Sequence, residues 1–321
     1  MSAIALQPAD RVELTILADN YSDLLLADTP VARRLRVPPP NAPLAEHGLA
    51  CLVSVYADQG RHTVLMDAGI SGTCLKHNAR MLSISLAVQK GEISHSLGQV
   101  ESVVLSHGHF DHFAGMPDYL EMTGKPMPLV LHPGAFVERR LKMGPDLCLD
   151  LPALKPGDLE KAGAVLDERQ AASTVAGGFI LVTGEVERVT DFEKGAANLE
   201  AKIEDQWVKD PFTDDQAIAI WLKNKGLVVI GGCSHAGIIN TVKHVCRTAG
   251  IDRVYAVLGG FHLSGAGEAL IAPTVQEMKK IGPEIIVPMH CTGWKAINAF
   301  AAEMPQQFVL NSVGTTYIFD A

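Results

Sequence analysis

Residues 106 to 115 read "SHGHFDHFAG" and directly follow the apolar run Val103-Val104-Leu105, so that His107, His109, Asp111 and His112 fall within six positions. Strand side chains repeat every second residue, and the turn behind a strand can aim several groups at one point beyond the sheet edge. His107 and His109 are spaced to bind one cation, and Asp111 with His112 to bind a second. Neutral imidazole nitrogen and carboxylate oxygen suit Zn²⁺, and also iron or manganese. Without a cation, so many polar groups beside a core strand would be costly to bury.

One loop cannot complete a coordination shell, and later strand ends offer further donors. "LVVIGGCSHAG" (227–237) runs from an apolar strand to Cys233 and His235 and then into a helix. Thiolate and imidazole two residues apart are good ligands there, although Cys233 taken alone reads as a small buried hydrophobe. "EIIVPMHCTGWK" (284–295) repeats the design with His290 as the ligand candidate. Lys295 stands in the helix start that follows; it reads either as the partner of an anionic group beside free backbone N–H donors or as a solvated lysine. "YAVLGGFHLSG" (255–265) brings out His262, open to reading as ligand, proton donor, substrate contact or structural histidine. His47, in "AEHGLA", is a candidate for the opposite wall of the pocket. Arg33 and Arg34 open an irregular basic loop, "RRLRVPPP", either a solvated turn or a contact for an anionic substrate.

The elements that must position these groups follow a βα rhythm. Apolar runs predict strands at 12–17, 49–55, 63–66, 103–105, 129–131, 179–182, 217–222, 227–230, 254–258 and 285–287, with a terminal pair at 308–310 and 316–319. The clearest helices are expected at 237–248, 272–280 and 295–302, each closely behind a strand. Two stretches break the rhythm, 134–176 and 184–215, and long segments of that kind are expected to be lids or binding loops capping the site. No repeat or linker divides the 321 residues, so a single α/β domain is expected.

Composition narrows the partners. A formal charge of −9 argues against broad nucleic-acid or anionic-membrane binding and leaves room for a local basic pocket around an anionic small molecule. No apolar run reaches the roughly 18 residues of a membrane span, and no basic, then apolar, leader opens the chain, so the cytoplasm is the expected location. The six cysteines are scattered, without CxxC spacing, and read as reduced, mostly buried thiols. Oligomeric state is not readable from these features.

The motif "SHGHFDH" resembles the signature loop of the metallo-β-lactamase superfamily, and "GGC" behind a strand resembles the thiolate-ligand strand end of its zinc β-lactamases. The resemblance implies a four-layer αβ/βα sandwich with one or two metals at the open edge of two sheets. Over nearly the whole chain, "LADNYSD", "EHGL", "DAGISG", "TGEVER", "DDQA", "GGCSHAGIINT", "GGFHL" and "HCTGWKA" are similar to the branch of 7,8-dihydropterin-6-methyl-4-(β-D-ribofuranosyl)aminobenzene 5′-phosphate synthases. One departure stands out. Where the superfamily supplies a further histidine before a strand pair, this chain reads Asp214-Asp215-Gln216. Asp215 or its neighbour replaces the ligand, or His235 fills the vacancy, or that metal site is weak.

Three functions follow as expectations. The first is a metal-dependent hydrolase of a small, phosphorylated molecule, with His107, His109, Asp111, His112, Cys233, His235 and His290 as ligands, and Asp111 and His262 in proton handling. The second is the transferase that the branch implies, for which Trp294, Trp207 and Phe261 offer a flat shelf and Arg33, Arg34 and Lys295 a phosphate site. The third is a binding or redox protein that holds its ligand through the metal without turnover.

Overall fold

Alternation of side chains along the strands decides the layers. In the strand Arg11–Ala18, Val12, Leu14 and Ile16 join the central core, while Leu17 and Ala18 face the opposite side. In Ala50–Ala57, Cys51, Val53 and Val55 face inward and Ala50 and Leu52 outward. The same period of two runs through Ala217–Leu222 and Gly226–Gly231, whose Ile218, Ile220, Val228 and Ile230 meet the first sheet across the core. Both faces of each sheet are therefore buried, and both need a helical cover.

The computed structural model describes residues 3–58, 60–91, 97–144 and 146–321. One sheet has eight strands in the order Ala32–Arg33, Thr316–Asp320, Arg11–Ala18, Ala50–Ala57, Gly60–Met66, Ser102–Val104, Met127–Leu131 and Ala164–Glu168. The other has six, in the order Ser173–Val175, Ile180–Val182, Ala217–Leu222, Gly226–Gly231, Val254–Gly260 and Ile285–Met289. Helices Gly72–Ser83 and Met116–Thr123 cover the first sheet through Leu75, Leu82, Tyr119 and Leu120. Helices Ile238–Ala249, Glu268–Ile281 and Trp294–Glu303 cover the second through Ile239, Val242, Ile271, Val275 and Phe300. The result is an αβ/βα sandwich of four layers, as the family resemblance implies. No helix among the described residues is long and apolar enough to cross a membrane.

Three expectations need correction. Residues 308–310 form no strand, only a single bridge from Phe308 to Ile286. The helix expected from 272 begins at Glu268, because Leu270 and Ile271 pack on the neighbouring helical layer and carry the helix back past Pro273. The stretches 134–176 and 184–215, expected as lids or binding loops, carry strands of their own: Ala164–Glu168 and Ser173–Val175 are edge strands of the two sheets. A third, antiparallel sheet joins the stretches in the order Gln206–Lys209, Leu199–Ile203, Arg139–Lys142 and Cys148–Asp150; residue 145 lies outside the described residues. The basic segment at 33 also enters a sheet, Ala32–Arg33 pairing with Tyr317 and Thr316.

Candidate metal centre

The loops behind Ser102–Val104, Gly226–Gly231 and Ile285–Met289 bring their donors to one place. Ligand atoms of Asp111, His112, Cys233 and His290 lie within 4.8 Å of one another, all four side chains buried. His112 Nε2 is 3.1 Å from Cys233 Sγ and 3.1 Å from His290 Nε2. Asp111 Oδ2 is 3.3 Å from His290 Nε2 and 3.7 Å from His112 Nε2.

Cys233 belongs equally to a second group, with His107 and His235. His109 stands beside that group: its ring is 4.7 Å from the rings of both His107 and His235, and His235 Nε2 is 3.1 Å from His109 Nδ1. The Nε2 atoms of His107 and His109 are buried with no hydrogen-bond partner. Orphaned buried lone pairs of this kind are expensive unless a cation takes them, and the N, O and S donor set fits Zn²⁺.

Electrostatics prepare the two groups differently. Burial, reinforced by neighbouring positive charge, pushes the pKa of His107, His109 and His235 well down, leaving neutral rings with free lone pairs. Burial also opposes charge on His112, but Asp111 and Asp67 outweigh it and hold its pKa at about 9. Asp111 is stabilised as a carboxylate by His112 and His290 against its own burial, its pKa held well below the usual range.

Each donor loop is pinned by a carboxylate. Asp67 Oδ2 lies 2.6 Å from His112 Nδ1 and accepts the Ser106 hydroxyl at 2.7 Å, while Oδ1 accepts the Ser106 N–H at 2.7 Å. A proton held on Nδ1 leaves Nε2 as the donor atom. Asp19 Oδ1 accepts the His290 backbone N–H at 2.9 Å, and Asn20 Nδ2 donates to the His290 carbonyl at 2.8 Å. Asp214 Oδ2 accepts the Gly108 N–H at 2.8 Å. Gly108 has no alternative there, since a Cβ would meet the Ala135 carbonyl oxygen at 2.0 Å. Asp214 is held in turn by Arg139 at 2.6 Å, whose guanidinium also meets Asp210 at 2.7 Å.

A model of the β-lactamase superfamily domain matches residues 62–157. The chain is also 32% identical over 305 residues to 7,8-dihydropterin-6-methyl-4-(β-D-ribofuranosyl)-aminobenzene-5′-phosphate synthase of Methanocaldococcus jannaschii, covering 93% of this chain and 94% of that one. The chain belongs to the metallo-β-lactamase superfamily. An uncharacterized protein of the same archaeon is 30% identical over 84% of this chain and 92% of its own. The crystal structure of Tm1679, a metal-dependent hydrolase of the β-lactamase superfamily, shares the fold with a TM-score of 0.72 at 24% identity, covering 97% of this chain and all of that one. With a synthase as its named relative, this superfamily member is an enzyme.

Of the two candidates for the superfamily's missing histidine, the structure places one among the donor groups. His235 stands with His107 and Cys233, whereas Asp215 joins none of the donor groups found among the described residues. Asp215 instead accepts the Ala236 N–H at 2.8 Å, and burial raises its pKa to about 7. Phe212 stacks on the His235 ring at 4.2 Å, which keeps that imidazole in place.

A cavity of about 170 Å³ opens onto the centre, lined by His47, His109, Asp111, Cys233, His235, His262 and Cys291, with Leu141, Leu151 and Leu199 as an apolar wall. His47 Nε2 is 3.6 Å from Asp111 Oδ2, and its ring stacks on His290. A larger cavity, about 740 Å³ and lined by Gln170, Glu185, His244 and Arg247, shares no residue with the centre. The other substrate-contact candidates lie elsewhere. Arg34 is buried and donates to Thr315 Oγ1, Arg33 donates to the Thr29 carbonyl, Lys295 meets Glu268 at 3.5 Å, and Trp294 is 70% exposed. None of the four lines this cavity.

Asp67, Asp19, Arg139 and Cys291 escape the sequence reading. The signal for the first two is a carboxylate at the very end of an apolar strand, after Gly60–Met66 and Arg11–Ala18. The Asp67→Ala variant is expected to bind zinc about 10- to 100-fold more weakly while keeping its fold, measured by competition with a chromogenic chelator.

Proposed function

We propose that this enzyme is a metal-dependent hydrolase of a small, phosphorylated molecule, working at a two-cation centre that faces the 170 Å³ cavity. The observation that carries the reading is the convergence of two donor groups on one shared thiol, that of Cys233, which lines that cavity. His107, His109 and His235 would hold one ion and Asp111, His112 and His290 the other, Cys233 being within reach of both groups. Bound zinc lowers the pKa of water from about 15.7 to about 7 and polarises a carbonyl or phosphoryl oxygen.

The chain's own residues supply the rest. Asp111, kept anionic by His112 and His290, orients the nucleophile. His262, whose ring lies 4.0 Å from that of His235, faces the same cavity and is placed to return a proton to the leaving group. Leu141, Leu151 and Leu199 cap the site and limit water to the reacting positions. His47, at the rim, contacts the substrate.

The similarity to the synthase over 93% of the chain favours a second reading, transfer between a dihydropterin and ribofuranosylaminobenzene 5′-phosphate. Purified protein given both partners separates the two. A product mass equal to the condensed partners supports transfer, and added water supports hydrolysis. Unchanged substrates across a panel of phosphorylated small molecules, with metal bound, would overturn both.

Zinc uptake must displace the proton that His112 keeps up to about pH 9 in the metal-free chain. Burial raises the Cys233 thiol as well, so its proton must also leave. Zinc affinity is therefore expected to climb with pH by at least about tenfold per unit between pH 6 and 8, levelling off once these groups are deprotonated. Calorimetry in buffers of different ionisation enthalpy counts the protons released; none released would refute the assignment of His112 and Cys233 as ligands.

A further inference from the structure

The loops carrying Cys233 and Cys291 follow Gly226–Gly231 and Ile285–Met289, which flank the strand Val254–Gly260 on either side. Positions two strands apart in a sheet are normally separated by about 9 to 10 Å. Yet the sulfurs of Cys233 and Cys291, with a ring nitrogen of His262, lie within 4.8 Å of one another. Gly260 makes this approach feasible at the end of the intervening strand. A Cβ there would stand 2.5 Å from the Gly232 carbonyl oxygen and 2.7 Å from Cys291 Sγ. Cys291 Sγ donates to the Cys233 carbonyl at 3.5 Å, which ties the loops together. Both cysteines line the 170 Å³ cavity, so a small solute reaches them.

We propose that Cys233 and Cys291 are a redox-active dithiol, a modification site that small hydroperoxides oxidise to a disulfide. One sulfur attacks the peroxide oxygen, giving a sulfenic acid and releasing water or an alcohol. The second thiol then displaces the hydroxyl as water and forms the S–S bond. Two thiols lose two electrons and two protons, and the peroxide O–O bond is reduced. The sulfurs close from within 4.8 Å to the roughly 2.05 Å of a disulfide. Oxidation also removes the thiolate shared by both donor groups and expels the metal; this consequence rests on the metal-dependent reading above, whereas the dithiol does not.

The test treats the full chain, zinc-loaded and chelator-stripped in parallel, with stoichiometric hydrogen peroxide and maps the non-reduced peptides by mass. A 233–291 cross-link in both samples, reversed by dithiothreitol, is expected, with zinc release rising in step in the loaded sample. In Cys291→Ser the cross-link disappears and zinc release at the same dose falls several-fold. A chain that takes up no zinc on loading yet still forms the cross-link would keep the dithiol and overturn the metal reading. Free thiols at both positions after a dose that oxidises exposed Cys148 would overturn the dithiol, as would Cys233 sulfinic acid without a cross-link. The mapping uses the unaltered chain, so it remains decisive if the variant fails to fold.

Discussion

Protein purified without chelator is expected to carry about two zinc equivalents per chain, with His112→Ala and His107→Ala each retaining about one. The two positions serve different donor groups, so each variant should empty one site and spare the other. Cys233→Ser weakens both sites, because its sulfur belongs to both groups. It should fall to about one equivalent or fewer. Loss of either ion forfeits several kcal/mol of charge stabilisation, so kcat/KM should drop at least about 10²-fold in each single variant. The folds should survive, because these side chains stand on loops beyond the strand ends and not in the three apolar clusters, Cys233 being the smallest change of the three. Elemental analysis reads the stoichiometry and circular dichroism the fold. Full zinc content in both histidine variants would sink the two-ion assignment.

The candidate donors stand out in the sequence because each follows an apolar strand and stands where the chain turns, so residue type and position point the same way. His107, His109, Asp111 and His112 need only the period of a strand end, and Cys233, His235 and His290 need only the same argument repeated. What the sequence does not reveal is which loops meet. Asp215 and His235 are equally plausible donors by spacing, and what separates them is that His235 stands with His107 and Cys233, with Phe212 packed on its ring, whereas Asp215 accepts the Ala236 N–H. Arg33 and Arg34 read as a free basic loop because their partners, Thr29 and Thr315, lie at positions that no local pattern connects to a charge. The third sheet is hidden for another reason. Its strands Arg139–Lys142 and Gln206–Lys209 read Arg-Arg-Leu-Lys and Gln-Trp-Val-Lys, too short and too polar to show a period of two. Their register comes from pairing with each other's neighbours, as when Leu141 meets both Leu199 and Leu149.

That small sheet bears on the centre most directly through Arg139. Its side chain is 4% exposed and bridges Asp210 and Asp214, both buried, and Asp214 holds the Gly108 N–H between His107 and His109. Arg139→Met keeps much of the volume but leaves two buried carboxylates without a counter-charge, a change that typically costs about 3–5 kcal/mol. For a chain of this size the expected loss in Tm is roughly 4–7 °C, read in scans at one fixed rate. Adding Asp210→Asn and Asp214→Asn to Arg139→Met should recover part of it, since neutral amides need no counter-charge. The metal content of the single variant then decides what the sheet is for. If the ion at His107 and His109 is lost while that at His112 and His290 stays, Arg139 acts through Gly108 on one donor group. If both ions stay and only Tm falls, the bridge secures the fold alone. An unchanged Tm would mean that the buried pair returns no more than its desolvation costs, and the third sheet would then be held by its strand pairing and by Leu141 and Leu199.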